Sequence, residues 1–265
     1  MSSDATLELE VSQVLRCADI TVRFGGLVAL DNVAFVAGAD RITGLIGPNG
    51  AGKTTLFNVM TGVLEPTRGR VYYDDADITS WSPHRRGRSG IARTFQRLEL
   101  FTGLTVYDNL LCAWEASLPG GVLGRHSADG REVVQSVLEW IRLGDLAHRA
   151  AGELSTGQGR LVELGRALCT NPRLLLLDEP SSGLDSGETD RFRDILLEIV
   201  REPSGPAVIL VEHDMSLVMD VCNHITVLDF GKVIANGTPD EVRNDPAVIA
   251  AYLGGAEAEL SGAPR

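Results

Sequence analysis

The chain has 265 residues, 44% of them hydrophobic and 23% charged, which excludes a wholly disordered polymer and allows a large core without disulfide staples. Its 24 basic and 36 acidic residues give a formal charge of −12, so a polyphosphate backbone is not attracted nonspecifically and nucleic acid is not an expected partner, although a local basic stripe could still bind it. The four cysteines, Cys17, Cys112, Cys169 and Cys222, lie too far apart for a CxxC pair, and reduced thiols are expected rather than a disulfide framework or a zinc site.

Residues 1–12 form a polar lead-in with Asp4, Glu8 and Glu10 and no basic n-region, so no secretory signal is expected there. Apolar, β-branched stretches at 14–24, 28–36 and 41–46, separated by glycines, predict strands. A glycine-rich segment, 47–52, leads into a predicted helix at 53–61. A strand is expected at 70–73, then a solvated turn with Asp74, Asp75 and Asp77, then a helix opening at Pro83. From 98 to about 151 the strand-like runs vanish. Val133, Val137 and Ile141, with Val134 and Leu138 beside them, recur at helical spacing and make one apolar face. The stretch 118–130, with Pro119 and several glycines, predicts a loop. Helices are expected at 160–170 and 188–201, and fully buried strands at 173–178 and 207–212. Strands alternating with helices imply a mainly parallel sheet covered on both faces. The longest unbroken apolar runs, 174–177 and 207–211, fall far below the ~18 residues that span a bilayer.

Gly47-Pro48-Asn49-Gly50-Ala51-Gly52-Lys53-Thr54 matches G-x-x-x-x-G-K-[ST] between a strand and a helix, the context that the motif needs. Glycines let backbone N–H groups curl around phosphate oxygens, and the helix N-terminus adds partial positive charge. Lys53 can reach the β- and γ-phosphates, the Thr54 hydroxyl can bind Mg²⁺, and Thr55 can donate to the α-phosphate. Only one other lysine, Lys232, occurs in the chain.

Four leucines, 174–177, end in Asp178 and Glu179. A buried parallel strand delivers such acids to the edge where nucleotides bind. Asp178 suits Mg²⁺ held through water, and Glu179 suits a general base for the attacking water. Gln96, at a strand end, offers a neutral amide to metal or water. His213 ends another buried strand and can hydrogen-bond a γ-phosphate, although a lone histidine is more often structural. Leu154-Ser155-Thr156-Gly157-Gln158 opens a helix with Ser155 as a natural N-cap.

The cradle, Gln96, Ser155–Gln158, Asp178-Glu179, Ser182-Gly183-Leu184-Asp185 and His213, in this order, resemble the motif set of the ABC ATPases from about residue 14 to 254. The resemblance implies an α/β P-loop NTPase fold with a mainly parallel core sheet and an antiparallel β part. It implies an ATPase domain over 13–254 with a helical subdomain inserted at about 98–170, while the polar or small residues of 1–12 and 255–265 separately predict flexible ends. It further implies that two cassettes close head to tail over ATP. Ser155, Thr156, Gly157 and Gln158 would then face the ATP held by a second ABC ATPase chain, with Asp185 communicating across that interface. Phe24 would stack on adenine. Thr54, Gln96 and Asp178 would hold Mg²⁺. Gln96 and the helical insert would grip membrane permease subunits, placing the chain peripherally on the cytoplasmic face of the cell membrane.

The segments Phe24–Leu30, Gly90–Gln96, Asn236–Pro239 and Ala251–Gly254 resemble the ATP-binding subunits of branched-chain amino acid importers, which also use a solute-binding protein. Two alternatives stay open: the ATPase of a lipopolysaccharide-type exporter, and a soluble ABC ATPase unconnected with transport. A P-loop GTPase is disfavoured because no Asn-Lys-x-Asp guanine reader is present. The chain departs from the common pattern at Thr156, at Gly159, where a larger polar residue is usual, and at Phe24, where tyrosine is commoner. A glycine at 159 is expected to weaken its helix by up to ~1 kcal/mol. Arg85, Arg86, Arg88, Arg93 and Arg97 form a basic run that suits either lipid headgroups and acidic loops or a solvated helix face. Trp81, Trp114 and Trp140 are expected in packing.

Overall fold

The computed structural model describes residues 13–39, 41–94, 98–118 and 128–252. Gln96, Arg97, most of the predicted loop at 118–130, and both ends lie outside the described residues.

Two sheets organise the chain. Strands β1 (Gln13–Phe24), β2 (Leu27–Gly38), β4 (Arg68–Tyr73) and β5 (Ala76–Asp77) form an antiparallel sheet in the order β2-β1-β4-β5. Strands β3 (Ile42–Ile46), β6 (Ile91–Arg93), β7 (Leu174–Asp178), β8 (Ala207–Val211), β9 (His224–Asp229) and β10 (Lys232–Gly237) form the second sheet. Its order is β10-β9-β3-β8-β7-β6, parallel throughout except for the β9–β10 hairpin at one edge. The helices are α1 (Lys53–Thr61), α2 (Pro83–Arg88), α3 (Val106–Ser117), α4 (Ala128–Trp140), α5 (Thr156–Leu168), α6 (Ser186–Arg201), α7 (Met215–Val221) and α8 (Pro239–Arg243).

The unbroken leucines of β7 follow from burial on both faces. Leu174 and Leu176 join a core shared with the antiparallel sheet and α1, whereas Leu175 and Leu177 join a second core under α3 to α6. β8 divides likewise, with Ile209 and Val211 on one side and Val208 and Leu210 on the other. The predicted apolar face of α4 is present: Val134, Val137, Leu138 and Ile141 are buried with Leu110 and Leu164. α4 begins at Ala128, inside the stretch predicted as loop, and α5 begins four residues before the predicted 160, at its Ser155 cap.

The basic run does not form one surface. Arg86 is only 1% exposed. Its guanidinium donates to the carbonyls of Val59 and Met60 at 2.7 and 2.6 Å and of Ile78 and Thr79 at 2.8 and 3.0 Å. It thereby adds to the C-cap of α1, where the Gly62 N–H also reaches the Val59 carbonyl at 3.2 Å. Arg85 stacks on Trp81 at 3.8 Å, and Arg93 turns inward to Asp178. A solvated or lipid-facing stripe is excluded for Arg86 and Arg93, because burial of each guanidinium is matched by acceptors within the chain. Trp114 is packed as expected, whereas Trp140 is substantially exposed. The acidic turn is confirmed: Asp74 and Asp75 have positive φ between β4 and β5, and Asp74 pairs with Arg173.

Candidate nucleotide site

Three neighbouring strands, β3, β8 and β7, end at one edge, and each contributes its next residues. Leu45 and Asp178 both lie opposite Val211 in register, which brings the loop after β3, His213 after β8 and the Asp178-Glu179 pair together.

The loop after β3 is shaped by glycine geometry. Gly47, Gly50 and Gly52 have φ of 149°, 81° and 107°. A Cβ on Gly47 would lie 2.1 Å from the Leu228 carbonyl oxygen, and one on Gly52 would lie 2.8 Å from Leu30 Cδ2. No side chain caps α1 at Gly52, so its first N–H groups are left to a ligand. The Lys53 side chain is buried and folds back, Nζ donating to the carbonyls of Gly47 at 2.5 Å and Pro48 at 3.1 Å. Burial lowers the Lys53 pKa, opposed by Glu179 and Asp178. Thr54 is exposed and Thr55 half-buried at the helix start, with Asn49 and Ala51 in the loop below. Phe24 ends β1 with 51% of its surface exposed, offering an open aromatic face.

Asp178 is buried, and burial pushes its pKa up, countered chiefly by Arg93, whose guanidinium nitrogen stands 3.6 Å away. Arg93 is held by Thr61 Oγ1 at 3.2 Å and lies over the Phe57 ring at 4.8 Å. Glu179 adopts φ +47°, an unusual conformation for a residue with a side chain, and its N–H donates to the Val211 carbonyl at 2.8 Å. Such strain persists where surrounding structure enforces it. The result places Glu179 Oε2 3.9 Å from His213 Nδ1. A carboxylate on Asp178 and a hydroxyl on Thr54 are hard oxygen donors, the chemistry that suits Mg²⁺, so the described part of the predicted metal set fits that ion.

Two residues of this edge escaped the sequence reading. Glu212 is fully buried, accepting the Ser181 N–H at 2.8 Å and the His213 N–H at 3.1 Å. It thus ties the loop after β7 to the loop after β8. Its one signal in sequence is an acid closing an otherwise apolar strand. Arg93 reads in sequence as one member of a basic run, and nothing local marks its pairing with Asp178.

The segment 155–158 is brought to α6. Ser155 Oγ accepts the Gln158 N–H at 3.2 Å, while Gln158 Oε1 accepts the Ser155 N–H at 3.1 Å, a reciprocal cap. Asp185 caps α6, its Oδ1 accepting the Glu188 N–H at 2.8 Å. Gly183 has φ +83°, and a Cβ there would lie 3.6 Å from Thr156 Cγ2. Gly159 has a packing reason: a Cβ would come 2.7 Å from Leu98 Cδ2.

A phosphate cradle at the carboxyl edge of a parallel sheet, with acids on the neighbouring strands, defines a P-loop nucleotide-binding cassette. Residues 30–182 match the family model described as ABC transporter, and 232–258 match that of the branched-chain amino acid ATP-binding cassette transporter. The high-affinity branched-chain amino acid transport ATP-binding protein BraF of Pseudomonas aeruginosa is 39% identical over 91% of this chain and 98% of its own. The ADP conformation of MJ1267, an ATP-binding cassette of an ABC transporter, superposes with TM-score 0.81 at 36% identity, covering 91% of this chain and 99% of that one. The dimeric, post-hydrolysis cassette MJ0796 bound to ADP and Pi gives 0.72 at 26% identity, covering 85% and 98%. The chain belongs to the ABC transporter family, with the ATP-binding cassettes of branched-chain amino acid transport.

Proposed function

We propose that this chain is the ATP-hydrolysing subunit of an importer for branched-chain or related amino acids. The carrying observation is the convergence of Lys53, Asp178, Glu179 and His213 at one sheet edge in a chain with 39% identity to BraF. The cradle 47–55 binds the ATP phosphates through its backbone N–H groups. Lys53 leaves its loop carbonyls for phosphate oxygens, and Phe24 takes the adenine. Water attacks the γ-phosphorus as the bond to the ADP oxygen breaks, and the water proton passes to Glu179. His213 orients the γ-phosphate. Thr54, Gln96 and Asp178 would hold Mg²⁺, which would supply charge neutralisation on the phosphate oxygens.

Ser155, Thr156, Gly157, Gln158 and Asp185 face the nucleotide of a second cassette, either a copy of this chain or a related one. The MJ0796 dimer and the fit between the two folds support that assembly. Among the described residues no helix is long and apolar enough to cross a membrane, which suits a subunit docked peripherally on a permease at the cytoplasmic face. A groove of about 700 Å³ between α2–β6 and α3–α5, lined by Arg88, Arg93, Glu99 and Arg166, suits a permease segment. A solute-binding protein would then select the cargo. The helical insert at 98–170 would move as the element that transmits closure.

Glu179→Gln is expected to leave ATP binding intact and lower turnover by roughly 100-fold or more. Binding of a fluorescent ATP analogue and phosphate release, measured on the same preparation, separate the two effects. Normal turnover in that variant would remove Glu179 from the role of base.

A further inference from the structure

Ser155 already has a partner for its proton. Its Oγ accepts from Gln158 N–H and donates to Glu188 Oε1 at 3.0 Å, across 33 residues of sequence. Glu188 stands in the first turn of α6, and its other carboxylate oxygen accepts the Asp185 N–H at 3.4 Å. The carboxylate also lies over Gly157: a Cβ built on that glycine would come 2.5 Å from Glu188 Oε1 and 2.4 Å from Cδ. One side chain therefore joins 155–157 to 185–188, the two segments that face the partner-held nucleotide in the function proposed above.

A serine hydroxyl has one proton to give. While it bonds Glu188 it cannot donate to a phosphate oxygen. We propose that Glu188 is a positioning residue that holds the Ser155 proton in the open chain and yields it to the γ-phosphate of ATP held by the partner cassette. Glu188 thereby sets how much ATP closure requires. This rests on the reading of 155–158 as a contact to partner-held ATP.

The test uses the complex purified from its own membranes through a tag on this chain, with ATPase measured over a range of ATP concentrations. Glu188→Gln keeps the reciprocal cap on α6 and removes the charge. It is expected to lower KM for ATP by roughly threefold or more with kcat within about twofold, and to leave the thermal unfolding midpoint unchanged. Glu188→Ala, which removes the acceptor, is expected to move KM in the same direction. Ser155→Ala is expected to raise KM, and Glu188→Gln is expected to bring no gain on top of it. An unchanged or raised KM in both Glu188 variants, beside a raised KM in Ser155→Ala, overturns the role of Glu188 and leaves the reading of 155–158 standing. A gain that persists in the Ser155→Ala background shows that Glu188 does not act through the serine, and overturns the proposal. Wild-type kinetics in Ser155→Ala overturn the reading of 155–158 and the role of Glu188 with it.

Discussion

The phosphate cradle and the 155–158 segment are both turns opening a helix, yet they are built differently. The cradle is shaped by backbone: glycines with positive φ, sheet strands on either side, and no side-chain cap at α1. The second turn is closed by side chains, Ser155 and Gln158 capping each other and Ser155 also bonding Glu188 of α6. An uncapped helix start leaves donors for a ligand, whereas a capped one must exchange existing bonds for new ones. In the proposed cassette, the first site asks one side chain of its own chain, Lys53, to leave its loop carbonyls, and the second asks Ser155 to leave Glu188 when a partner brings nucleotide.

The sharpest way to break this contrast is to fill the cradle. Gly47→Ala would place a methyl 2.1 Å from the Leu228 carbonyl oxygen at φ 149°. ATP affinity is expected to fall by roughly 100-fold or more, because the loop must move to admit the methyl. Titration with a fluorescent ATP analogue measures it, and near-normal affinity would show that the loop is softer than its packing implies.

Removing the anchor at the far end of α1 tests whether the rigidity of the cradle is local. Arg86→Ala removes a buried donor from the carbonyls of Val59, Met60, Ile78 and Thr79, of which Val59 and Ile78 keep the N–H groups of Gly62 and Trp81. A loss of about 3 kcal/mol in unfolding free energy is expected by denaturant titration. ATP affinity should change only a few-fold, since Gly47 and Gly52 are held by β9 and β2 rather than by α2. A large affinity loss would mean that the cradle depends on the whole helix.

The smallest effect concerns the thiols. Cys222 lies behind β3, where a Cβ on Gly44 would be 3.0 Å from its sulfur, and burial pushes the thiols of Cys17, Cys169 and Cys222 up to about 12. Cys112, on α3, is only half-buried. Partial burial, with Glu115 and Asp108 nearby, pushes its thiol up as well, so exposure sets the contrast: at pH 8 Cys112 is expected to react first in a colorimetric titration of the folded chain, and the other three more slowly. Fast reaction of Cys222 would indicate that the sheet beneath the cradle opens more readily than α3.

Motifs confined to one turn were legible because their geometry is local. Eight residues with glycines at 47, 50 and 52, set between a strand and a helix, specify an anion cradle, and four leucines ending in two acids specify a doubly buried strand with its carboxylates at the rim. The helix at 53–61 and the apolar face of α4 were legible for the same reason, since residues three and four apart share a face. Local pattern also misled. Arg85, Arg86 and Arg88 look alike in sequence, but α2 turns Arg86 toward the end of α1 and leaves Arg88 on the groove.

The sequence by itself thus determined the nucleotide chemistry: the cradle, the acid pair and the ordered motif set of an ABC ATPase. Tertiary structure decided which distant groups meet. Only the strand order β3-β8-β7, which does not follow the chain, brings His213 beside Glu179 and lets Glu212 clasp the loop after β7. Only the packing of α5 against α6 gives the Ser155 proton to Glu188. Such contacts join residues 31 to 34 positions apart, and no spacing rule reaches that far, because the partner of a side chain is chosen by the neighbour that the fold supplies.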